Sequence, residues 1–148
     1  MIELNNLSAN TVEFAYECLK ELRGSLSYSM GQFQDYVLHN NLFDHPQFSI
    51  LVGNDLHVPV GILTCNRFAM PRYLGFGYEL EEVVVHEQFQ GKGYGKLLIE
   101  AFLDKVKTEK NIRKVIVKTD DQVRAGKLYE QYFEVANTSV YSKAVNYL

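Results

Sequence analysis

Cysteine, long apolar runs and basic residues are all scarce in this sequence, and each shortage excludes a class of protein. Two cysteines, Cys18 and Cys65, cannot form a disulfide framework, and neither they nor the four scattered histidines have the spacing of a metal site. We therefore expect no metal and a reducing, cytoplasmic location. The start of the chain also lacks the basic and apolar regions of a signal peptide.

Charge and hydropathy exclude two further classes of partner. No run of 18 or more apolar residues is present, so no membrane span is expected. The formal net charge of −3 lacks the basic excess that binds nucleic acid. The 148 residues suffice for one core, and we predict a single domain over residues 1–148.

The order of predicted elements indicates an α/β (α+β) fold. Helices are predicted at 10–23, 30–38, 93–107 and 121–132, and strands at 48–52, 60–68, 78–86, 114–119 and 138–145. A turn at 53–55 joins the first two strands, and a loop is predicted at 71–77. The strands between 48 and 86 are consecutive, which favours antiparallel pairing, and the remainder forms a β-α-β-α-β half.

A glycine-rich loop follows the third predicted strand and opens an amphipathic helix. It reads Gln90-Gly91-Lys92-Gly93-Tyr94-Gly95-Lys96, and the apolar stripe of the helix comprises Leu97, Leu98, Ala101, Phe102 and Val106. A helix start presents free backbone N–H groups and the positive end of the helix dipole. Glycines let a phosphate approach those groups, and the two lysines add charge. The pattern predicts a phosphate or pyrophosphate site, although three glycines also suit a purely structural turn.

The spacing of the glycines does not fit the common nucleotide motifs. A P-loop needs four residues between its glycines and a hydroxyl residue after its lysine, whereas Gly91 and Gly95 are one residue closer and Leu97 follows Lys96. The Rossmann fingerprint fails because the glycines are spaced two apart. Only 53 residues follow Gly95, too few for a full doubly wound sheet.

Gln90-x-x-Gly93-x-Gly95 after a valine-rich strand resembles the acetyl-CoA pyrophosphate loop of the GCN5-related N-acetyltransferase (GNAT) superfamily. The resemblance implies a mainly antiparallel sheet flanked by helices, and acetyl-CoA as co-substrate. It implies cofactor contacts from the loop, residues 90–96, and from the backbone of Val83, Val84 and Val85, whose side chains belong to the core. In that family these amides contact the pantetheine arm and the acetyl carbonyl, where developing negative charge is stabilised.

A second segment, residues 121–134, resembles the family pattern Asn-x-x-Ala-x-x-Leu-Tyr-x-x-x-Gly-Phe. Ala125 and Tyr129 keep its spacing, while Gln122 stands where the family has its pantetheine-binding Asn, with Asp121, a helix N-cap, beside it. By resemblance Tyr129 is the general acid that protonates the leaving thiolate. The other reading is one more buried aromatic residue. Phe133 replaces the family glycine, which removes a left-handed helix cap or ends the helix earlier.

A carboxylate is needed to take a proton from the acceptor amine, directly or through water. Glu81 is the first choice, followed by Glu79 and Glu82, and strand alternation predicts Glu79 and Glu81 on one face with Glu82 on the other. A solvated strand end would also explain these residues. No Cys/His pair supports a covalent acetyl-enzyme, so direct transfer in a ternary complex is expected.

The acceptor is less well defined by the sequence. Residues that could contact it lie in the first helices and before the third strand: Arg23, Tyr28, Arg67, Arg72 and Tyr73. We expect a primary amine of a small molecule; an amino-sugar phosphate, an aminoalkylphosphonate, an amino acid and a polyamine all remain open. The alternative is a non-catalytic module that binds acyl-CoA for regulation or interaction. A homodimer is a further expectation, because dimers are common in the family.

Overall fold

The computed structural model describes residues 1–22, 26–119, 123 and 125–145 of the chain. It divides into two compact units, Met1–Lys118 and Thr119–Leu148, which are considered separately. The prediction of a single domain over residues 1–148 stays a prediction. No helix in the described ranges has the length and apolar character needed to cross a membrane.

The first unit is built on a five-stranded sheet. Its strands are β1 (Ile2–Asn6), β2 (Phe48–Asp55), β3 (Val58–Met70), β4 (Gly75–Val85) and β5 (Ile112–Val117). They lie in that order, antiparallel from β1 to β4, with β5 parallel to β4. The helices are α1 (Val12–Glu21), α2 (Met30–His39), α3 (Tyr94–Lys107) and, in the second unit, α4 (Ala125–Tyr129). The predicted mixed, mainly antiparallel sheet is confirmed.

Helices of the first unit cover both faces of the sheet, because alternate strand residues point to opposite sides. One core joins α1 and α2 to residues such as Ile50, Ile62 and Val84. The other joins α3 to the opposite face and comprises Ile2, Leu51, Val60, Leu63, Cys65, Leu80, Leu98 and Phe102. In α3 the buried positions are Leu98, Ile99 and Phe102, whereas Leu97, predicted in the stripe, is 37% exposed.

Leu98 of α3 packs into a hollow formed by two glycines on neighbouring strands. Gly53 and Gly61 pair across β2 and β3, and a Cβ at either position would collide with the Leu98 side chain. At Gly61 a Cβ would also meet the backbone oxygen of Val84. Because neither glycine has a side chain, α3 can lie close to the sheet. This contact sets the distance between the N-terminus of α3 and the sheet.

The first strand and the start of β4 differ from the predictions. β1 was not predicted, because its sequence, IELNN, contains two asparagines that disfavour strands and only two aliphatic residues. β4 begins at Gly75, inside the predicted loop 71–77, of which Pro71–Tyr73 forms a 3-10 turn. Gly77 lies within the strand and not in a loop. Glycine is needed there because the Phe68 ring of β3 occupies the space that a side chain would fill.

The turn between β2 and β3 also lies later than predicted. Both strands continue past Gly53, where their register shifts, and the chain reverses at Leu56 and His57. These two residues have positive φ values of 48° and 70°. A left-handed turn was not apparent because neither residue is Gly, Asn or Asp.

In the second unit, the prediction of a last strand at residues 138–145 is wrong. Residues 138–145 are described and form no strand, and Val140, Tyr141 and Val145 are 66%, 93% and 71% exposed. β-Branched and aromatic residues favour strands only where a partner strand and a packed face are present. The helix predicted at 121–132 is observed as α4, Ala125–Tyr129; residues 121, 122 and 124 lie outside the described residues.

Candidate active site

The glycine-rich loop has the backbone conformation that the sequence predicted for an anion site. Gly91 and Gly93 have φ values of 75° and 83°, a region that strains any residue with a side chain. Among the described residues, apart from each glycine and its chain neighbours, no atom lies within 4 Å of the position that a Cβ would take at either glycine. Conformation rather than crowding therefore requires glycine, and the space above both residues is open to a ligand.

Helix α3 begins directly after this loop and presents unbonded amides. The first amide that bonds within the helix is that of Leu97, which donates to the Gly93 oxygen at 3.3 Å. The N–H groups of Tyr94, Gly95 and Lys96 precede it and have no partner within the helix. Lys92 and Lys96 are exposed beside them. The loop and helix start thus offer the backbone amides and positive charge that a pyrophosphate needs.

Four hydrogen bonds made by side chains hold this loop in place. Gln90 Nε2 donates to the Val85 oxygen at 3.1 Å, and the Tyr94 hydroxyl donates to Asp55 Oδ2 at 2.7 Å. Buried His86 accepts the Gln88 N–H at Nδ1, 3.3 Å away, so its Nε2 carries the proton shared with Glu17 Oε2 at 3.0 Å. The loop is therefore fastened to β4, to the β2–β3 turn and to α1.

One edge of β4 opens where the strand approaches the loop. β5 pairs with β4 only as far as Leu80, opposite Val117, whereas β3 pairs with β4 up to Val85. The His86 N–H bonds Val60 of β3 at 2.9 Å, so by alternation Val84 also faces β3 while Val83 and Val85 face the open edge. Among the described strands none pairs with Val83 and Val85 on that side. Their amides fit the polar arm of a bound acyl-CoA.

A β-bulge lies at the point where the edge opens. Thr64 pairs with Glu82 and the next residue of β3, Cys65, pairs with Leu80, which leaves Glu81 as an extra residue. A bulge reverses the alternation of the strand, so Leu80 and Val83 contact the same core although they are three residues apart. The prediction that Glu82 faces away from Glu79 and Glu81 is therefore wrong.

The bulge gathers three carboxyl groups on the α1/α2 face. The Thr64 hydroxyl donates to the Glu82 carboxylate, and its oxygen accepts the Glu82 N–H at 3.1 Å. Asn66 Nδ2 lies 3.5 Å from Glu81 Oε1, and Lys118 Nζ lies 2.6 Å from Glu79 Oε1. The Glu81 carboxyl also shares a hydrogen bond with Glu79.

Burial and mutual repulsion favour the protonated forms of two of these groups. Burial, followed by the hydrogen bond to Glu79 and its charge, raises the pKa of Glu81. Burial and then the charge of Glu81 raise the pKa of Glu82. A carboxylate with a raised pKa is a stronger proton acceptor, which suits a general base.

The predicted acceptor residues do not form one cluster. Tyr28 is close enough to Glu82 for that charge to contribute, after burial, to a raised pKa of its phenol, and its backbone oxygen accepts from the Tyr16 hydroxyl at 2.9 Å. Arg67 instead lies on the α3 face, 3.6 Å from the centroid of the Phe76 ring. Arg72 stacks on Tyr73 at 5.9 Å, and both are exposed. Arg23, Asp121 and Gln122 lie outside the described residues.

Tyr129 ends α4 in the second unit. Its ring meets that of Phe133 edge-on at 6.3 Å, and its backbone oxygen accepts N–H groups from Tyr132 and Phe133 at 2.9 and 2.8 Å. Burial raises the pKa of Tyr129. None of the described residues after Tyr129 has positive φ, so Phe133 forms no left-handed cap.

Both cysteine thiols are buried and should be unreactive in the folded protein. Burial raises the pKa of Cys18 to about 12 and that of Cys65 to about 11, from an ordinary 9.0. We expect iodoacetamide to label neither thiol at neutral pH without denaturant, and both in urea, as measured by intact mass. Because the folded state favours the protonated thiols, their contribution to stability is complete below pH 9 and is lost as the pH rises through 11 to 12. Rapid labelling of the folded chain would contradict the assigned burial.

Sequence reasoning missed Thr64, Asn66, Lys118 and His86. The first three act through the register of β3, β4 and β5, which no local pattern reveals. His86 could have been identified from its position, because it stands directly before the loop. Among the described residues, no group of three or more His, Cys, Asp or Glu side chains is arranged to hold a metal ion.

Comparison with known proteins agrees with this geometry. The sequence matches the acetyltransferase (GNAT) family over residues 13–134. A ribosomal-protein-alanine N-acetyltransferase from Brucella melitensis biovar Abortus 2308 is 22% identical, with a TM-score of 0.77 over 99% of this chain and 100% of that one. An aminoglycoside acetyltransferase from an uncultured soil metagenomic sample, solved with sisomicin, is 19% identical, with a TM-score of 0.69 over 99% and 96% of the two chains.

A GNAT family acetyltransferase from Staphylococcus aureus subsp. aureus USA300_TCH1516 is 16% identical, with a TM-score of 0.72 over 97% and 98%. At these identities the structures show a shared fold. No curated protein matches the sequence significantly. The family match spans most of the chain, including α1, the open edge of β4, the glycine loop and Tyr129. The chain therefore belongs to the GNAT family of acetyltransferases.

Proposed function

We propose that this chain transfers an acetyl group from acetyl-CoA to a primary amine of a small molecule, directly in a ternary complex. The observation that carries the proposal is the bulge at Glu81, which brings carboxyl groups beside the open edge of β4. Acetyl-CoA supplies an activated acetyl thioester. The chain supplies amides for its phosphates and polar arm, and a base for the amine.

Most of the predicted residues have a role in this proposal; Val84 has none, because its amide faces β3 and not the open edge. The amides of residues 94–96 and the loop from Gln90 to Gly93 hold the pyrophosphate. Val83 and Val85 donate to the pantetheine arm and to the acetyl carbonyl, where negative charge develops during attack. Glu81 accepts the amine proton, and Tyr129 donates a proton to the leaving thiolate. Asp121 and Gln122 are proposed pantetheine contacts by family resemblance alone.

Direct transfer is supported by the state of the cysteines. A covalent acetyl-enzyme needs a nucleophile that is deprotonated or paired with a base. Burial keeps the thiols of Cys18 and Cys65 protonated at neutral pH. The acceptor amine is then the attacking group, and it must reach the thioester while both substrates are bound.

Replacing Glu81 with Gln tests the base. We expect kcat/KM to fall about tenfold to a hundredfold, because a positioned base typically contributes 10²–10⁴ and the neighbouring Glu79 and Glu82 replace part of its function. Acetyl-CoA affinity should stay close to wild type, since Glu81 is not part of the loop. The measurement is thiol release from acetyl-CoA with a panel of amines, alongside calorimetric titration of acetyl-CoA.

The amine panel should decide between acceptor classes. It includes a polyamine, an amino acid, an amino-sugar phosphate, an aminoalkylphosphonate, an aminoglycoside and a peptide with an N-terminal alanine. Glu87→Gln is the matched control, because Glu87 is exposed in the short turn after β4. Acetyl-CoA binding without thiol release for any amine would favour the non-catalytic module. Turnover of the peptide alone would overturn the small-molecule acceptor.

A further inference from the structure

Lys118 is placed beside the carboxyl groups by the end of β5. It follows Val117, the last residue of β5 to pair with β4, and thus stands where the two strands separate. Its Nζ lies 2.6 Å from Glu79 Oε1. Glu79 in turn shares a hydrogen bond with Glu81. A chain of contacts therefore leads from the Lys118 ammonium through Glu79 to Glu81.

We propose that Lys118 is a positioning residue for acetyl transfer, whose ammonium offsets the negative charge of Glu79 and so keeps Glu81 available as a proton acceptor. The inference rests on the role proposed above for Glu81. Lys118 itself touches neither substrate in this account. It acts through the carboxylate that it binds.

Electrostatics give the reason. Two carboxyl groups in hydrogen-bond contact disfavour a second negative charge, so one of them holds its proton to a higher pH unless a cation is nearby. Glu79 raises the pKa of Glu81, and the charge of Lys118, together with the Asn66 hydrogen bond, counters that rise. The pairing with Glu79 also raises the pKa of Lys118, which keeps its ammonium charged.

The charged and titratable neighbours among the described residues of the first unit enter this balance. Asn66 on β3 contacts Glu81, and Lys118 after β5 contacts Glu79. Glu82 on β4, whose pKa the charge of Glu81 raises, lies beside them and has Thr64 on β3 and Tyr28 before α2 as neighbours. Lys118 is the cation among these groups. Its side chain is 53% exposed, so salt should weaken its influence.

The test replaces Lys118 with Met and follows the titration of Glu81 by carboxyl-carbon NMR in the whole chain, with the signal assigned from Glu81→Gln. We expect the Glu81 midpoint to move to higher pH by about half a unit or more, and less at high salt. Lys118→Arg should restore the wild-type midpoint. The acid limb of kcat/KM should move in the same direction, because it reports the base of the free enzyme.

Further variants separate the contributions. Lys114→Met removes an exposed lysine from β5, the strand that Lys118 follows, and should leave the Glu81 midpoint and the acid limb of kcat/KM unmoved. In a Glu79→Gln background the effect of Lys118→Met should shrink, since the charge that it offsets is gone. An unmoved midpoint, or an equal loss of activity at every pH, would overturn the inference. A moved midpoint with an unmoved acid limb would overturn Glu81 as the base while leaving the Lys118–Glu79–Glu81 charge balance intact.

Discussion

Replacing Tyr129 with Phe is expected to lower kcat about 10²-fold or more while leaving acetyl-CoA affinity nearly unchanged. The substitution removes the hydroxyl that we propose as proton donor to the leaving thiolate, and positioned acids typically contribute 10²–10⁴. The aromatic ring, which packs edge-on against Phe133, remains. The measurement is steady-state thiol release at saturating acetyl-CoA and amine.

The pH dependence adds a second readout. The phenol must be protonated to donate, and burial raises its pKa above the ordinary 10.0, so this group should allow activity up to pH 10 and limit it only at higher pH. Tyr141→Phe is the matched control in the same unit, because Tyr141 is 93% exposed. A Tyr129→Phe variant with wild-type kcat would show that another group, or water, protonates the thiolate.

Replacing Phe102 with Ala should have the largest effect on stability. Phe102 is 1% exposed on α3 and meets Tyr78 of β4 edge-on at 5.7 Å, within the core that fixes α3 on the sheet. Truncating a buried Phe typically costs about 3–5 kcal/mol in free energy of unfolding. Typical domains have only about 5–15 kcal/mol in total, so the variant should be near the limit of folding.

Urea denaturation followed by circular dichroism measures this loss. Phe102→Leu keeps most of the apolar volume and should cost much less than Ala. Leu97→Ala is the matched control on the same helix, where a partly exposed side chain contributes less. Acetyl-CoA should raise the urea midpoint of the Phe102→Ala variant at saturating concentration, because ligand binds only the folded state. A loss below about 1 kcal/mol would mean that the core at Phe102 is poorly packed.

The conformation of the glycine loop could be predicted from sequence because it depends on short-range pattern. Gly91 and Gly93 are needed for the backbone conformation itself, and the stretch from Gln90 to Lys96 lies within one turn and one helix start. Strand, loop and helix follow one another directly. Such local features can be recognised without knowing which strands are neighbours.

The acceptor side could not be predicted in the same way. The grouping of Glu79, Glu81 and Glu82 depends on one unpaired residue opposite Thr64 and Cys65, and the alternation rule gives the opposite result when a bulge is present. Lys118 meets Glu79 only because β5 is parallel to β4 in that register. Pairing between strands far apart in sequence sets these contacts.

Errors at the two ends of the chain have a common physical origin. β1 forms from a weak strand sequence because β2 offers it a partner, with Leu4 opposite Gly53. Residues 138–145 have the stronger strand composition but lie largely exposed and unpaired among the described residues. Strand formation follows partners and burial more than composition.

The bulge at Glu81 has a consequence for changing the acceptor of this enzyme. It divides β4 into a section whose backbone amides, at Val83 and Val85, we propose for the donor, and a section whose carboxyl side chains, at Glu79, Glu81 and Glu82, we propose for the acceptor. We therefore expect that the side chains at 79 and 82 can be exchanged without altering the hydrogen-bonding edge that follows them. Acceptor preference can then diverge, in evolution or by engineering, through point substitutions at these positions, whereas a one-residue deletion between Glu82 and Val85 would invert the faces of that section of β4.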